Sequence, residues 1–205
     1  MNKFLHILLV ASCAMLAASG AWANLTDNPG FETGDLTDWS TFGLGWRTST
    51  GDDAYESTYG LVCDVLDWHT GEEWRGVYQT IPVTAGLTYD AGVYIRTVSV
   101  DTSISFLELQ WLDGVGGVIS QLQSSTVNGN QPFTLMDISD AVAPAGAVEA
   151  SLRGIVQMQS LPTSGDSDFH IFDNFTLTAQ AVPEPATLTL LALGAAGLVL
   201  RRRSR

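Results

Sequence analysis

Cysteine is scarce in this sequence: only Cys13 and Cys63 occur among 205 residues. Cys13 lies in an N-terminal stretch with the pattern of a cleavable signal, so we expect the exported chain to keep Cys63 alone. A single cysteine excludes an internal disulfide bond. The pattern predicts instead that Cys63 is a small buried side chain within a strand.

Basic residues are equally scarce between the two ends of the chain. All 22 acidic residues lie in residues 27–184, where only four arginines oppose them, so this region has a formal charge of −18. Such a negative surface repels nucleic acid and anionic lipid, which argues against a nucleic-acid partner. It suits divalent cations and neutral polymers, although solubility alone also explains it.

Helical patterning and catalytic motifs are absent as well. No segment of residues 24–181 repeats apolar residues every 3.6 positions. The motifs HExxH and GxSxG, a CxxC pair and a phosphate-binding loop do not occur, and strand parity predicts that His170 points to solvent. We therefore expect a protein that is not an enzyme. A glycosidase carboxylate pair among the many acids remains an alternative.

The first 23 residues have the pattern of a secretory signal peptide. Lys3 gives a positive start, an apolar run follows over residues 4–16, and Ala21 and Ala23 precede a cleavage site before Asn24. A lipoprotein site at Cys13 is the alternative, but the apolar run continues through that cysteine. The sequence thus predicts export and cleavage by signal peptidase.

The C-terminal segment has three parts in a fixed order. Val182, Pro183, Glu184 and Pro185 are followed by 15 uncharged residues and then by an arginine cluster that begins with Arg201, Arg202 and Arg203. As a helix, the apolar run is about 22 Å long, shorter than the roughly 30 Å hydrocarbon layer, and snorkelling arginines can bridge the difference. We expect one transmembrane helix with its arginines on the cytoplasmic side.

This segment resembles the PEP-CTERM sorting signal of Gram-negative bacteria that make exopolysaccharide. The resemblance implies recognition by exosortase, a membrane protease, and removal of the tail near residues 183–185. The inner-membrane anchor is then transient, and the rest of the chain reaches the cell surface or matrix. The predicted organisation is a signal peptide (1–23), a body (24–181) and a sorting signal (182–205).

The body has the alternation of half-buried strands. In residues 86–100, Leu87, Tyr89, Ala91, Val93 and Ile95 share one parity, and polar residues occupy much of the other. Similar strands are predicted near 55–66, 75–83, 104–112, 117–124, 133–139, 147–158 and 169–178. Turns rich in Gly, Pro and Asn separate them. Many short strands without crossover helices predict an all-β, antiparallel jelly-roll sandwich.

Several fragments of the body are similar to jelly-roll carbohydrate-binding modules, which resemble the galactose-binding-like sandwich. These are NLTDNPGFETGDLTDW at 24–39, VTAGLTY at 83–89, APAGA at 143–147 and IFDNFTL at 171–177. The resemblance implies a structural Ca²⁺ held by Glu32 and Asp173, with a backbone carbonyl from Gly30.

Asp173 gives this calcium prediction an independent reason. Its parity places it in an apolar row, where an unpaired charge is costly. The loop acids Asp52, Asp53 and Glu56 are candidates for another ligand. The metal-free alternative is that Asp173 accepts backbone N–H bonds or pairs with an arginine.

Outward-facing aromatic and polar residues predict a sugar-binding surface. Aromatic rings stack on pyranose rings, while amides, carboxylates and guanidinium groups bind hydroxyls. Trp39 and Trp111 are expected in the core instead. The candidate binding residues are Trp74, Tyr78, Tyr94, Arg96, Glu108, Gln110 and Arg153. The predicted function is non-catalytic binding of polysaccharide, and the alternative is a surface-displayed polysaccharide hydrolase.

Overall fold

The computed structural model describes residues 23–66, 73–98, 102–160 and 167–180. All of them belong to one compact unit, Ala21–Gln180. The signal peptide up to residue 22 and the whole sorting segment with its predicted helix lie outside the described residues. Within the described ranges, no helix has the length and apolar character needed to cross a membrane.

The described residues form two five-stranded antiparallel sheets that face each other. The first sheet has the strand order β1-β4-β9-β6-β7, and the second has the order β2-β3-β10-β5-β8. A short 3₁₀ turn, Gly51–Asp53, follows β2. The strands are β1 (Ser40–Phe42), β2 (Trp46–Thr50), β3 (Tyr59–Leu66), β4 (Trp74–Pro82), β5 (Thr88–Val98), β6 (Ser103–Leu112), β7 (Val118–Gln123), β8 (Gln131–Val142), β9 (Glu149–Met158) and β10 (Ser167–Ala179). The predicted antiparallel sandwich is confirmed.

Eight of these strands correspond to the eight predicted segments, and the two shortest early strands do not. β1 has three residues and β2 has five. Their exposure does not mark a half-buried strand, because neither contains a fully buried residue. Pairing with β4 and β3 makes them strands.

The core lies between the two sheets. Leu107, Leu109 and Leu152 of the first sheet are fully buried, as are Ile95 and Phe172 of the second. Burying each such side chain contributes about 1.5–3 kcal/mol. The core positions predicted for three other residues are also confirmed: Cys63 is 0% exposed, Trp39 7% and Trp111 1%.

The start of the body closes one end of the sandwich against β10. The Asn24 side-chain amide and the Thr26 hydroxyl both donate to the Phe175 carbonyl, at 2.9 and 3.0 Å. The Trp39 ring lies 4.6 Å from that of Phe175 and 5.4 Å from that of Phe31. These contacts join residues 24–39, which we call the opening motif, to the last strand.

The predicted parity of β10 is wrong in its first half. The register of β10 against β5 shifts between Asp173 and Thr176, and Asn174 has a positive φ of 50°. This bulge exchanges the two faces of the strand, because one extra residue reverses the alternation. Phe172 and Phe175 consequently both face the core, and His170, expected in solvent, is 0% exposed.

Candidate functional site

Alternate residues of four strands face away from the core and form a polar surface on the first sheet. The register places Tyr78 opposite Arg153, Arg153 opposite Glu108, and Glu108 opposite Gln123. The neighbouring row adds three further polar residues. We call this set the polar face, and its members are Tyr78, Glu108, Gln110, Gln121, Gln123, Ser151 and Arg153.

Glu108 lies at the centre of the polar face and is only 7% exposed. Its Oε1 accepts a hydrogen bond from Gln110 Nε2 at 2.9 Å, and its Oε2 accepts one from Gln123 Nε2 at 2.8 Å. Arg153 Nη1 lies 3.7 Å from Oε1 and forms an ion pair. The single carboxylate of the polar face is thus balanced by one guanidinium group.

Arg153 is held from two further sides. Its Nε donates to Ser151 Oγ at 2.9 Å, and its guanidinium carbon lies 5.5 Å from the centre of the Tyr78 ring. A cation at this distance over an aromatic ring is attracted by about 0.5–2 kcal/mol. These contacts fix the guanidinium group before any ligand binds.

Gln110 has one unsatisfied atom. Its amide nitrogen donates to Glu108 and to Gln121 Oε1, the second at 3.3 Å, while its buried Oε1 has no hydrogen-bond partner among the described residues. A buried acceptor without a partner costs about 1–3 kcal/mol.

Trp74 supplies an apolar surface beside the polar face, on the same side of the sheet. Its side chain is 44% exposed, and its ring meets that of Phe106 edge-on, at 6.5 Å and 88°. An exposed indole held by a buried ring is suited to stacking on a sugar ring. The structure therefore brings together five of the seven predicted binding residues: Trp74, Tyr78, Glu108, Gln110 and Arg153.

Tyr94 and Arg96 lie elsewhere, on β5 of the second sheet. The Tyr94 ring stacks on Tyr55 at 3.8 Å, and a side-chain hydrogen bond between the two raises the pKa of Tyr55 to about 12. Arg96 Nη1 donates to the Asp52 carbonyl and lies 3.4 Å from Asp53 Oδ1. These two residues hold the loop after β2 and are not part of the polar face.

The residues predicted to bind calcium also converge. A Cβ atom added to Gly30 would lie 3.2 Å from Asp173 Oδ1 and 3.3 Å from Asn174 Oδ1. Asp173 is 0% exposed, and burial, together with the nearby charge of Glu32, raises the pKa of its carboxyl group to about 6. The nearby Glu32 carboxylate therefore disfavours the charged form of Asp173.

Hydrogen bonds already engage both carboxylates. Asp173 Oδ2 accepts from Tyr55 N at 2.7 Å and Ser57 Oγ at 2.8 Å, and Oδ1 accepts from Asn174 N at 2.7 Å. Glu32 accepts from the backbone N–H groups of residues 58 and 59, the latter at 2.9 Å. The metal-free alternative predicts such hydrogen bonds. The proposed ligands are all oxygen atoms, which are the ligands that calcium prefers.

The loop acids do not complete a metal cluster. Asp53 accepts from Ser49 Oγ at 2.8 Å and pairs with Arg96, and the Asp52 carbonyl is bound to the same arginine. Glu56 has a positive φ of 52° in the loop that supplies N–H groups to both carboxylates. In the part of the chain that the structure describes, no three His, Cys, Asp or Glu side chains are grouped to hold a metal ion.

Comparison with known sequences identifies the C-terminal segment. Residues 181–203 match the PEP-CTERM protein-sorting motif. The predicted sorting signal is thereby confirmed from its Pro-Glu-Pro step through its arginine cluster. No curated protein matches the chain.

Solved structures of similar fold include carbohydrate-binding modules. TmCBM61 in complex with β-1,4-galactotriose is 19% identical with a TM-score of 0.55, and the match covers 77% of this chain and 99% of that one. The CBM22-2 xylan-binding domain of Paenibacillus barcinonensis Xyn10C is 16% identical with a TM-score of 0.55, covering 74% and 98%. These similarities confirm the jelly-roll fold.

An enzymatically active domain has a similar fold over part of its length. Tailspike protein 4 of bacteriophage CBA120 is 18% identical with a TM-score of 0.59. The match covers 77% of this chain but only 21% of the tailspike chain. The likeness concerns the fold alone.

A second polar cluster, buried between the sheets, was not expected from the sequence. Ser103 Oγ donates to Asp168 Oδ2 at 2.5 Å and lies 2.8 Å from His170 Nε2, and all three residues are at most 4% exposed. His170 Nδ1 has no hydrogen-bond partner among the described residues. A catalytic triad requires a carboxylate at this second nitrogen, so these three residues do not form one.

Proposed function

We propose that this protein is exported, sorted and displayed outside the inner membrane of a Gram-negative bacterium. Signal peptidase cleaves before Asn24, and the C-terminal helix anchors the chain with its arginines in the cytoplasm. Exosortase then removes the tail near residues 183–185, leaving the body at the cell surface or in the matrix. The matched sorting motif at 181–203 supports this proposal.

We propose that the body binds a neutral polysaccharide, such as exopolysaccharide, through the polar face. The observation that carries this proposal is the Arg153 guanidinium group, which is held by Glu108 and the Tyr78 ring while its side chain remains 23% exposed. Sugar hydroxyls both donate and accept hydrogen bonds, and the exposed Trp74 ring lies on the same side of the sheet. The balanced charges of Glu108 and Arg153 suit an uncharged ligand.

We propose further that this binding is non-catalytic. Glycoside hydrolysis normally needs two carboxyl groups about 5–9.5 Å apart. Glu108 is paired with Arg153, and the next outward carboxylate of these strands, Glu149, is four positions from Arg153, or about 13 Å along β9. The polar face therefore contains one carboxylate, which is ion-paired with Arg153, rather than two.

A glycan array with protein exported by cells that express the full chain tests the binding proposal. The array includes neutral bacterial exopolysaccharides, β-1,4-galactotriose and xylohexaose. We expect binding to at least one neutral glycan, and a loss of tenfold or more in affinity for Arg153→Gln. Arg47→Gln is the matched control, because it removes the same charge from an exposed ion pair with Asp64 on the second sheet.

Two results would contradict the proposal. Loss of binding in Tyr94→Ala and Arg96→Ala, with Arg153→Gln unaffected, would place the site on the second sheet. Release of new reducing ends from a bound polysaccharide, abolished by a single Asp or Glu substitution, would establish the hydrolase alternative.

We also propose a structural Ca²⁺ ion held by Glu32 and Asp173 with a backbone oxygen of Gly30. Two adjacent carboxylates, one of them completely buried, favour a cation between them. The ion would supply positive charge that joins the opening motif to the last strand.

A further inference from the structure

Strand β7 differs from the other three edge strands of the two sheets. Natural edge strands are protected from pairing with another chain by short length, charge, proline or bulges. β1 has only three residues, β2 carries Arg47, and β8 carries Pro132, Asp137 and Asp140. β7 has six residues, VISQLQ, with no charge, proline or glycine, and its one register shift lies near its start, between Val118 and Ser120.

The side chains of β7 are open to solvent. All six residues are exposed, including three large aliphatic ones: Val118 at 54%, Ile119 at 40% and Leu122 at 39%. Val115, in the turn that precedes the strand, is 92% exposed. An exposed edge strand without charge or proline is the kind that adds another strand.

The charge of the chain indicates which strand fits this edge. Residues 27–184 have a formal charge of −18. The longest stretch without a charged residue in this region is 114–136, which includes β7. Two copies of so acidic a chain repel each other over most of their surfaces. Their uncharged edges can meet without bringing carboxylates together, so a second copy is the partner that this surface fits.

The backbone of β7 is oriented for this pairing. Ser124 N donates to Leu107 O of β6 at 3.0 Å. The alternation of an antiparallel ladder then directs the backbone N–H and C=O groups of Gln121 and Gln123 away from β6. Among the described residues, no strand lies on that side of β7.

We propose that the protein forms a symmetric dimer in which the β7 strands of two copies pair antiparallel. A two-fold axis at Gln121 places this residue opposite Gln121 of the second copy, and Ile119 opposite Gln123. The two first sheets become one continuous sheet of ten strands. The two polar faces then lie side by side on one surface, which, if the proposed sugar binding holds, gives a long polymer two adjoining sites.

Sedimentation velocity of the protein exported by cells that express the full chain tests the pairing. We expect twice the mass of one chain at micromolar concentrations. Ile119→Asp sets a carboxylate in each copy near the pairing edge, and Gln121→Pro removes an outward N–H group, so both variants are expected to sediment as monomers. Leu44→Asp is the matched control, because it places the same charge on a 51% exposed leucine at the β1 and β2 side of the sandwich and should remain dimeric.

A cross-linking experiment keeps the proposal falsifiable if a variant folds poorly. Gln121→Cys should give a covalent dimer with a short bismaleimide, whereas Leu44→Cys should not. A wild-type monomer overturns the proposal, as does a dimer that survives Ile119→Asp and does not cross-link through Gln121→Cys. Either result leaves sugar binding by a single chain intact, because that test does not depend on the dimer.

Discussion

His170 illustrates how burial sets the chemistry of a single residue. The imidazole is completely buried, which lowers its pKa to about 4; the nearby Asp168 carboxylate opposes this shift and Arg75 adds to it. Ser103 has one hydroxyl proton, which it donates to Asp168, so the His170 Nε2–H group donates to the serine oxygen. The folded protein therefore holds a neutral histidine in its core.

This neutral histidine predicts a loss of stability in acid. An unfolded histidine takes up a proton near pH 6.5, whereas the folded one does so only near pH 4. Its contribution is complete above pH 6.5 and is lost as the pH falls to 4, on the order of 3 kcal/mol in the free energy of unfolding. Urea titrations between pH 7 and 4 should show a weaker pH dependence in His170→Gln than in the wild type. Parallel curves for the two proteins would refute this assignment.

At the scale of the element, the bulge in β10 allows one strand to serve two purposes. It turns Asp173 toward the loop at residues 55–59, while Phe172 and Phe175 both stay in the core. Asn174 makes this possible with its positive φ of 50°. Asparagine tolerates this conformation better than most residues, and β-branched residues rarely adopt it.

Substitutions at Asn174 test the strain that the bulge imposes. Asn174→Val should lower the free energy of unfolding by about 1–3 kcal/mol, because a β-branched residue is strained at positive φ. Asn174→Gly removes the same side-chain amide but adopts this φ freely, so its loss should be clearly smaller. Chemical denaturation measures both, and equal losses would show that side-chain contacts, rather than the backbone, set the cost.

Calcium should tighten the junction between β10 and the opening motif. With the ion at about 100 times its dissociation constant, we expect the melting temperature to rise by roughly 5–10 °C over that in EDTA. Asp173→Asn should abolish the rise, and Asp113→Asn, in the turn before β7, should preserve it. Equal melting temperatures with calcium and with EDTA would favour the hydrogen-bonded, metal-free arrangement.

At the scale of the whole molecule, the body and the tail carry charges of opposite sign. Residues 27–184 carry −18, while four arginines lie within the last five positions. A positive cluster after an apolar run favours retention on the cytoplasmic side of a membrane. The proposed processing would remove this cluster and leave an acidic body.

Intact mass spectrometry of the exported protein tests this processing. The mass should correspond to a chain that begins at Asn24 and ends near residues 183–185, without the arginine cluster. Replacing Pro183, Glu184 and Pro185 together by alanine should leave the tail attached and the protein in the membrane fraction. An exported wild-type protein that retains Arg205 would contradict exosortase processing.

The sequence alone determined the sorting motif and the main strands, because both are local patterns. The Pro-Glu-Pro step, the apolar run and the arginine cluster are contiguous, so no tertiary contact is needed to recognise them. Alternation with a period of two predicted β3 to β10, and all of these strands except the exposed β7 have buried residues. It also identified the outward residues Tyr78, Glu108 and Arg153 strand by strand.

Only the tertiary structure decided which outward residues lie together. Parity assigns a residue to one face of its own strand but does not say which sheet the strand joins. The sequence therefore groups Arg96 with Arg153, although Arg96 lies on the second sheet and Arg153 on the first. The bulge that buries His170 depends on contacts of Asp173 with a loop more than 100 residues away in the sequence. Strand order arises from packing between distant segments, and the alternation within a single strand does not specify its neighbours.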